Sequence, residues 1–539
     1  MRRIDPFLAV AIAIFLALGL ALAFVKAPWC DEAWFVNPAY NLAFRGHLSN
    51  NVLDPTGCFL NAYLRGVQQR TYIYVPNHLI GLAAWLRLVG FSAFKARAYS
   101  IGWSALGLIM LYSILRRFFA DRRVAQLASL LLAIDFIFLW SSADGRPEAV
   151  TNALMLCSLY AYLSFRERDF SKAVLFSQVF AAAAAFAHPN ALFLVLSMLV
   201  LLGFFDRKRL RLPHLLLAGA PYTVFACLWG IYILQSPGDF VAQFFPNVGY
   251  SDRWRGLIRP DVVIADEIHR HLAAYSLDGL WPGVMNIWML LIPFGYLGAL
   301  ISLLAVRTRT AERERMFTVF ACALILTMTL LNGFKGYFYL IYLVPLYDAA
   351  LAAWLLRLWR RGGHGKFAAG LLAASFAAIQ LTTSYQHIRA DEFHKDFEPA
   401  IQDLMKSRAA GKSIVGTSAL GFGMNFSGFT DDAREGKYSG LAPDVLVIDR
   451  SYRLFASIFE EKEPKVFAHI VDTLTSQYYL ASRHGSFWIF ERIPEGSLQP
   501  ALSKRVIDLG KRDKAEHLFD ALLAQSEQGK LASSSNPPL

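Results

Sequence analysis

The residues best suited to chemistry are Asp31 and Glu32, which follow the first hydrophobic segment within the stretch Trp29–Phe35. Two adjacent carboxylates at a membrane boundary are energetically unfavourable unless they have a partner or a task. A carboxylate placed there can take a proton from a hydroxyl group when its surroundings tune its pKa. Alternatively, both residues are solvated loop charges, or first-turn charges of a short interfacial helix. Spacing alone leaves both interpretations open.

The composition is typical of a polytopic membrane protein. Of 539 residues, 55% are hydrophobic and only 17% are charged, which is too apolar for a soluble enzyme of this size. The net charge of +12 comes largely from Lys and Arg runs between hydrophobic segments, such as Arg207–Arg211 and Arg357–Arg361. This is the positive-inside pattern of cytoplasmic loops. No segment has the signature of a nucleic-acid module, so nucleic acid is excluded as a partner.

Hydrophobic segments predict about eleven transmembrane helices, with the N-terminus in the cytoplasm and the C-terminus outside. One further apolar segment, Pro76–Gly90, is short and carries His78 and Arg87. Counting it as a span would place every Arg-rich loop outside, so it is predicted to be an amphipathic helix in the interface. The predicted spans are Phe7–Val25, Arg97–Leu115, Val124–Trp140, Ala149–Phe165, Ala173–Ala187, Asn190–Phe205, Pro213–Leu234, Met285–Val306, Met316–Leu331, Tyr337–Leu356 and Phe367–Thr383.

The composition also predicts the division into domains. Residues 1–388 form the transmembrane domain, with long external loops at about 26–96 and 235–284. Residues 389–525 form a small α/β domain outside the membrane, and residues 526–539 a disordered tail. In this domain, strands are predicted at Lys412–Gly416, Asp444–Asp449, Tyr478–Ser482 and Ser486–Arg492, with helices near Pro399–Ala410 and Pro464–Thr475.

Several polar groups converge on the predicted outer face: the Asp31–Glu32 pair, Arg97, the segment Asp144–Glu148 and Lys335. Ionisable groups at one depth of a membrane protein usually mark a substrate site. Cations beside an acidic pair suit an enzyme that binds a lipid phosphate and activates a hydroxyl group. For Arg97, Arg146 and Lys335 taken singly, snorkelling to lipid headgroups is the alternative.

The order of these motifs resembles a family. Asp-Glu follows the first span, Pro76 opens a helix, and Arg97 opens a span; Ser141–Glu148 reads SSADGRPE, and Lys335–Tyr339 reads KGYFY. This order is similar to the superfamily of protein O-mannosyltransferases and lipid A aminoarabinose transferases. The resemblance implies the GT-C fold of integral-membrane glycosyltransferases. It also implies inverting transfer of a hexosyl or pentosyl group from a polyprenyl-phosphate donor, outside the cytoplasmic (inner) membrane.

The resemblance further implies a role for each candidate residue. Asp31 is the catalytic base and Glu32 supports it or touches the acceptor. The donor phosphate is held by Arg97, Arg146 and Lys335, with Tyr337 and Tyr339 beside them. Further candidates for acceptor contacts or for support of the site are His78, Asp144, Glu148 and His188. His188, at a helix end, is also typical of a structural histidine. The chain departs from the family pattern at Tyr74-Val75, where relatives often carry a polar pair and where His78 could substitute.

This scheme requires no cofactor, and the sequence leaves metal dependence open. Glu267 and His271 would share a helix face at i, i+4, but a third ligand is missing nearby, so residues 266–271 are predicted to form a solvated loop helix and not a metal site. Cys30 and Cys58 lie in one predicted external loop, where they either form a disulfide or stay reduced.

Two other functions would fit a membrane protein of this composition. A transporter or flippase for a lipid-linked sugar would explain the spans, although it needs no acidic pair and usually shows repeated halves. A non-catalytic scaffold with an external partner-binding domain is the second. For a transferase, the acceptor remains open among lipid A, wall glycan, a secondary polymer and protein Ser or Thr.

Overall fold

The computed structural model describes residues 5–57, 63–250, 255–275, 286–305, 312–494 and 518. Two compact units emerge from the chain. The first unit contains Met1–Phe24, Tyr74–Ser236 and Val248–Ala390. The second contains Val25–Ile73, Pro237–Asn247 and Asp391–Leu539. The sequence-based division assigned residues 26–96 to the transmembrane domain, whereas in the structure most of this loop belongs to the second unit. Cys58 and the predicted tail 526–539 lie outside the described residues.

Helices dominate the chain up to residue 390. Pro76 is the first residue of α3. Proline is favourable there because the N–H that it lacks would have no hydrogen-bond partner within the helix. The described helices are α1 Pro6–Val25, α2 Cys30–Arg45, α3 Pro76–Val89, α4 Ala93–Phe118, α5 Arg122–Ile134, α6 Phe136–Ser142, α7 Glu148–Phe165, α8 Phe170–Ala185, α9 Ala191–Phe205, α10 Leu212–Ile233, α11 Pro237–Tyr250, α12 Arg255–Ile258, α13 Pro260–Tyr275, α14 Asn286–Met289, α15 Leu291–Ala305, α16 Glu312–Leu331, α17 Val344–Arg360 and α18 Gly363–Ala390, with a 3-10 helix at Tyr337–Tyr342.

Each of the eleven predicted spans contains one of these helices or part of one. Within the described residues, five helices are long and apolar enough to cross a membrane, and the bent pair α5–α6 would make a sixth. Three shorter apolar helices, α8, α9 and α15, fall below that length. The count of eleven, the orientation and the interfacial position of α3 therefore stay predictions.

The predicted span Val124–Trp140 is not one straight helix. Asp135 ends α5 and caps α6, because its Oδ1 accepts a hydrogen bond from Phe138 N at 2.8 Å. An aspartate that caps a new helix interrupts the previous one, and the two helices meet at 61°. Asp135 Oδ2 also accepts from Tyr296 at 2.9 Å and from Gln380 at 2.7 Å. Tyr296 lies 3.0 Å from Asp348 as well, so a buried polar cluster joins the ends of α5 and α6 to α15, α17 and α18.

The second unit is built on a four-stranded sheet with the order β1-β2-β4-β3. Its strands are β1 Ile414–Val415, β2 Val445–Ile448, β3 Tyr478–His484 and β4 Phe487–Arg492, and its helices are α19 Glu398–Ala409, α20 Gly421–Met424, α21 Arg450–Lys462 and α22 Pro464–Gln477. β1 runs parallel to β2, while β4 is antiparallel to both of its neighbours. The strands occur where the sequence predicts them. Their location outside the membrane stays a prediction.

Helix α21 is not among the predicted helices, although the sequence contains the signals for it. Asp449 caps its first turn by accepting a hydrogen bond from Tyr452 N at 3.0 Å. Tyr452, Phe455, Ala456 and Phe459 then form a buried stripe with the i, i+3, i+4, i+7 spacing of an amphipathic helix.

Candidate active site

Asp31 and Glu32 lie in the first turn of α2. The helix begins at Cys30, after Trp29 in an extended conformation with φ −134°. Carboxylates in a first turn are stabilised by the positive end of the helix dipole. Glu32 is fully buried and Asp31 half-buried. This position suits a first-turn structural charge and a fixed proton acceptor equally well.

Helix α2 is attached to the rest of the second unit through Trp34, which contacts Asp431 and, on α21, Phe455. The indole Nε1 donates a hydrogen bond to Asp431 Oδ2 at 3.1 Å, and the ring stacks on Phe455 with centroids 6.2 Å apart. Asp431 also accepts from Ser418 N at 2.8 Å and from Tyr452 OH at 3.0 Å. Trp34 is three residues after Asp31, nearly one helical turn away, so this attachment fixes the part of α2 that carries the acidic pair.

Asp431 was not predicted as a site residue. Burial raises the pKa of its carboxyl group to about 6, despite the opposing hydrogen bonds from Ser418, Trp34 and Tyr452. The segment after Asn51 reinforces this junction, because Asp431 N donates to Val52 O at 2.7 Å. Nothing local in the sequence indicates these partners, because the Trp34 and Asp431 side chains are separated by most of the chain.

In the first unit, Arg146 and Glu148 form a buried ion pair. The guanidinium donates from Nη2 to Glu148 Oε1 at 2.6 Å and from Nε to Oε2 at 3.1 Å. It also lies 4.0 Å from the ring centroid of Phe338, and His188 Nε2 is 4.0 Å from Glu148 Oε1. The His188 ring is 5.7 Å from that of Tyr339. Four predicted site residues are therefore brought together here: Arg146, Glu148, His188 and Tyr339.

The turn that carries Asp144 and Arg146 is held from two helices. His78, on α3, lies with Nε2 3.1 Å from Gly145 O. Burial lowers the pKa of His78 to about 4, so its ring is neutral at pH 7 and Nε2–H donates to the carbonyl. Ser100, on α4, donates to Arg146 O at 3.4 Å. Asp144 is buried in the same turn. His78 thus supports the turn by packing and hydrogen bonding.

Arg97 is completely buried near the start of α4. Its Nη1 donates to Ala23 O in the last turn of α1 at 3.0 Å. A buried guanidinium facing carbonyl groups at a helix C-terminus is stabilised by the negative end of the helix dipole. Arg97 is therefore fixed inside the first unit and does not extend to the surface, which contradicts the snorkelling alternative for this residue.

Lys335 lies in a second ion cluster. Its Nζ is 2.9 Å from Glu267 Oε2 and donates to Thr329 O at 2.6 Å near the end of α16. Arg270 also binds the Glu267 carboxylate, and His271 Nδ1 is 3.5 Å from Glu267 Oε1. Burial raises the pKa of Glu267, but Arg270 and Lys335 outweigh it, so the pKa lies below its usual range. Tyr337 is half-buried in the 3-10 helix that follows.

The prediction of a solvated loop helix at residues 266–271 is therefore wrong in part. These residues lie on α13, and Glu267 and Arg270 are buried. Their i, i+3 spacing was visible in the sequence, but the distant partner Lys335 was not linked to them. Within the described ranges, no group of three His, Cys, Asp or Glu side chains could hold a metal ion.

The chain is similar to known membrane glycosyltransferases. The family model of dolichyl-phosphate-mannose-protein mannosyltransferases matches residues 76–231, which include His78, Arg97, Arg146 and Glu148. No curated protein sequence matches the chain.

Solved structures share the fold of the chain. ArnT from Cupriavidus metallidurans, bound to undecaprenyl phosphate, superimposes with a TM-score of 0.55 at 12% identity, covering 91% of this chain and 98% of that one. The Archaeoglobus fulgidus oligosaccharyltransferase in complex with zinc and sulfate gives a TM-score of 0.52 at 12% identity, covering 91% of this chain and 74% of that one. The resemblance seen in the sequence is therefore confirmed: the chain has the GT-C fold of integral-membrane glycosyltransferases, and residues 76–231 match the mannosyltransferase family model.

Proposed function

We propose that the protein transfers a sugar from a polyprenyl-phosphate donor to a hydroxyl acceptor at the outer face of the cytoplasmic membrane, with inversion at the anomeric carbon. The observation that carries this proposal is the pair of buried ion clusters around Arg146 and Lys335, in a fold shared with ArnT bound to undecaprenyl phosphate. A solved oligosaccharyltransferase of the same fold is in complex with a dolichol-phosphate.

In the proposed reaction, Asp31 accepts the proton of the acceptor hydroxyl group as its oxygen attacks the anomeric carbon. The bond between this carbon and the phosphate oxygen breaks, and the polyprenyl phosphate leaves as an anion. Arg97, Arg146 and Lys335 stabilise the growing negative charge. Glu32 tunes or positions Asp31, while Tyr337 and Tyr339 contact the donor. Asp144, Glu148, His78 and His188 hold the cations and the turn in place.

The ion pairs give this scheme a specific feature. Arg146 and Lys335 already neutralise Glu148 and Glu267, so a donor phosphate must share each cation with a carboxylate. The carboxylates keep the cations oriented before the donor binds, because supporting residues usually fix the orientation of a functional side chain. Removing the negative charge of Glu267 or Glu148 should therefore strengthen donor binding, whereas removing the positive charge of a cation should weaken it.

Purified protein with a radiolabelled polyprenyl-phosphate sugar tests the reaction. Transfer releases free polyprenyl phosphate and labels an acceptor from an envelope extract. Movement of intact donor between the leaflets of proteoliposomes, without release, would instead identify a flippase and overturn the proposal.

The proposed orientation has its own test. A cysteine in place of exposed Ala409, at the end of α19, should react with a membrane-impermeant thiol reagent in intact spheroplasts. A cysteine in place of Lys208, in an Arg-rich loop, should react only after permeabilisation, and the unmodified chain gives the background of its own cysteines. Labelling of Lys208→Cys in intact cells would mean that the topology is the reverse of the proposed one.

A further inference from the structure

The second unit contains a cavity of about 200 Å³. Its floor is formed by buried residues of β2, β3 and α22, namely Leu446, Tyr478 and Thr473. Its rim is formed by exposed Gly440 to Ala442, in the loop that precedes β2. A single buried water needs only ~10–15 Å³, so this cavity can accommodate a small organic ligand. None of the residues assigned to the transfer reaction lines it.

Glu435 is the unusual residue in the wall of this cavity. Its side chain is buried, and within the described part of the chain its Oε2 atom has no hydrogen-bond partner. Burial and the nearby Asp432 carboxylate raise the pKa of Glu435 well above its ordinary value. Its backbone is also in the left-handed region, with φ +49°. A strained backbone and an unsatisfied buried polar group are both unfavourable for folding.

The loop around Glu435 is built to keep this conformation. Asp432 Oδ2 accepts from Gly436 N at 2.9 Å and from Ser439 Oγ at 2.5 Å. Gly436 has φ +84°, and a Cβ atom there would meet Leu441 O at 2.1 Å. Unfavourable features that are held in place by surrounding structure tend to occur at ligand sites. The Glu435 carboxyl group can therefore form a hydrogen bond with a ligand in the cavity.

The other polar groups of the wall define the chemistry of that partner. His469 Nε2 lies 2.9 Å from Glu435 O, so Nε2–H donates to this carbonyl group. Thr473 and Gln477 add a hydroxyl and an amide, which both donate and accept. Leu446 and Tyr478 supply an apolar wall. No Lys or Arg is among the described residues of the lining, so the cavity is unsuited to phosphate or carboxylate ligands.

We propose that this cavity is a binding subsite for one neutral sugar unit of the acceptor or product glycan. A sugar ring presents hydroxyl groups that both donate and accept, together with an apolar face, and the wall offers partners for each. Glu435 binds hydroxyl groups of the ring, Thr473 and Gln477 bind further hydroxyl groups, and the ring packs on Leu446. The choice of a sugar as ligand rests on the proposed function, whereas binding itself does not require transfer.

Saturation-transfer NMR on the full chain in detergent, without donor, tests the proposal. The probes are methyl glycosides of glucose, galactose, mannose and N-acetylglucosamine, each titrated alone. We expect saturable binding of at least one of them. Thr473→Val, which removes a hydroxyl group at constant volume, and Ala442→Trp, which fills the rim, should each weaken that binding by at least fivefold.

Thr475→Val is the matched control, because Thr475 is a buried threonine on the same helix that does not line the cavity. It should leave sugar binding unchanged. Hydrolysis of the donor, in which water replaces the acceptor and polyprenyl phosphate is released, should be equal in all three variants. The sugar subsite would be overturned if no glycoside binds, or if all three variants bind it equally. Ethylammonium serves as a cationic probe, and its selective binding would also overturn the sugar subsite. Absence of donor cleavage in the unmodified chain, with glycoside binding intact, would refute the transferase proposal alone.

Discussion

Glu148 and Glu267 in the first unit are each held by arginine or lysine, whereas Asp431 and Asp449 in the second are held by hydroxyl, indole and backbone N–H groups. A buried carboxylate that faces a cation stays ionised, while one that faces neutral donors is easier to protonate. The first arrangement keeps cations ready for an anionic ligand. The second makes the unit that carries α2 sensitive to pH.

The largest expected effect distinguishes a catalytic Asp31 from one that only stabilises the first turn of α2. Asp31→Asn keeps the shape of the side chain but cannot accept a proton at neutral pH. We expect the transfer rate to fall by ~10²–10⁴, with little change in donor affinity. The rate of polyprenyl phosphate release by purified protein measures this. Glu32→Gln, one residue away, should have a smaller effect. A transfer rate close to that of the unmodified chain would show that the acidic pair has only a structural role in the first turn of α2.

The second prediction concerns the pH dependence of the second unit. Because burial raises the pKa of Asp431 to about 6, from an ordinary value of 3.8, the folded state binds this proton more tightly than the unfolded state. This stabilising effect is complete below about pH 4 and is lost as pH rises through 6. Two pKa units correspond to about 3 kcal/mol at most. The protection of β2 amides against hydrogen exchange, corrected for the chemical rate, should therefore increase between pH 7 and pH 5.

Asp431→Asn should remove part of this pH dependence, because the amide is neutral throughout and can still accept from Trp34 and Ser418. Asp444→Asn is the control. The hydrogen bonds from Ser413 hold the pKa of Asp444 below its ordinary value, so it titrates outside this range. If both variants keep the pH dependence of the unmodified chain, another of the buried carboxylates controls it.

The third prediction tests whether the paired cations bind the donor. A charge-assisted hydrogen bond contributes about 1.5–3 kcal/mol, so Lys335→Ala and Arg97→Ala should raise the apparent donor KM by ~10–100-fold. Glu267→Gln should lower it, because Lys335 and Arg270 then lose a competing carboxylate. Donor titrations on folded, purified variants provide the measurement. A rise in KM for both Lys335→Ala and Glu267→Gln would mean that this cluster only maintains the fold.

The sequence predicted the features that depend on local patterns. Apolar length marked the helices of the first unit, and alternating or β-branched runs marked β2, β3 and β4. Motif order brought Arg146, Glu148, His188 and Tyr339 into one hypothesis, and the structure brings these four together. Local patterns did not indicate Glu267 as the partner of Lys335, or Asp431 as the partner of Trp34. Such pairs are set by packing between segments distant in sequence, and a single sequence carries little signal for them.

The smallest expected effect tests whether the attachment of α2 matters for catalysis. Trp34→Phe keeps the stacking on Phe455 but removes the indole N–H that donates to Asp431, which should lower stability by about 1 kcal/mol. Tyr452→Phe removes another donor to the same carboxylate from α21, which carries none of the proposed catalytic residues. If Trp34 positions Asp31, kcat should fall a few-fold in Trp34→Phe alone, with the donor KM unchanged, while both variants lose similar stability in thermal melts. Equal kcat values in the two variants would mean that the hydrogen bond contributes to folding only, and that the first turn of α2 is positioned by its own helix.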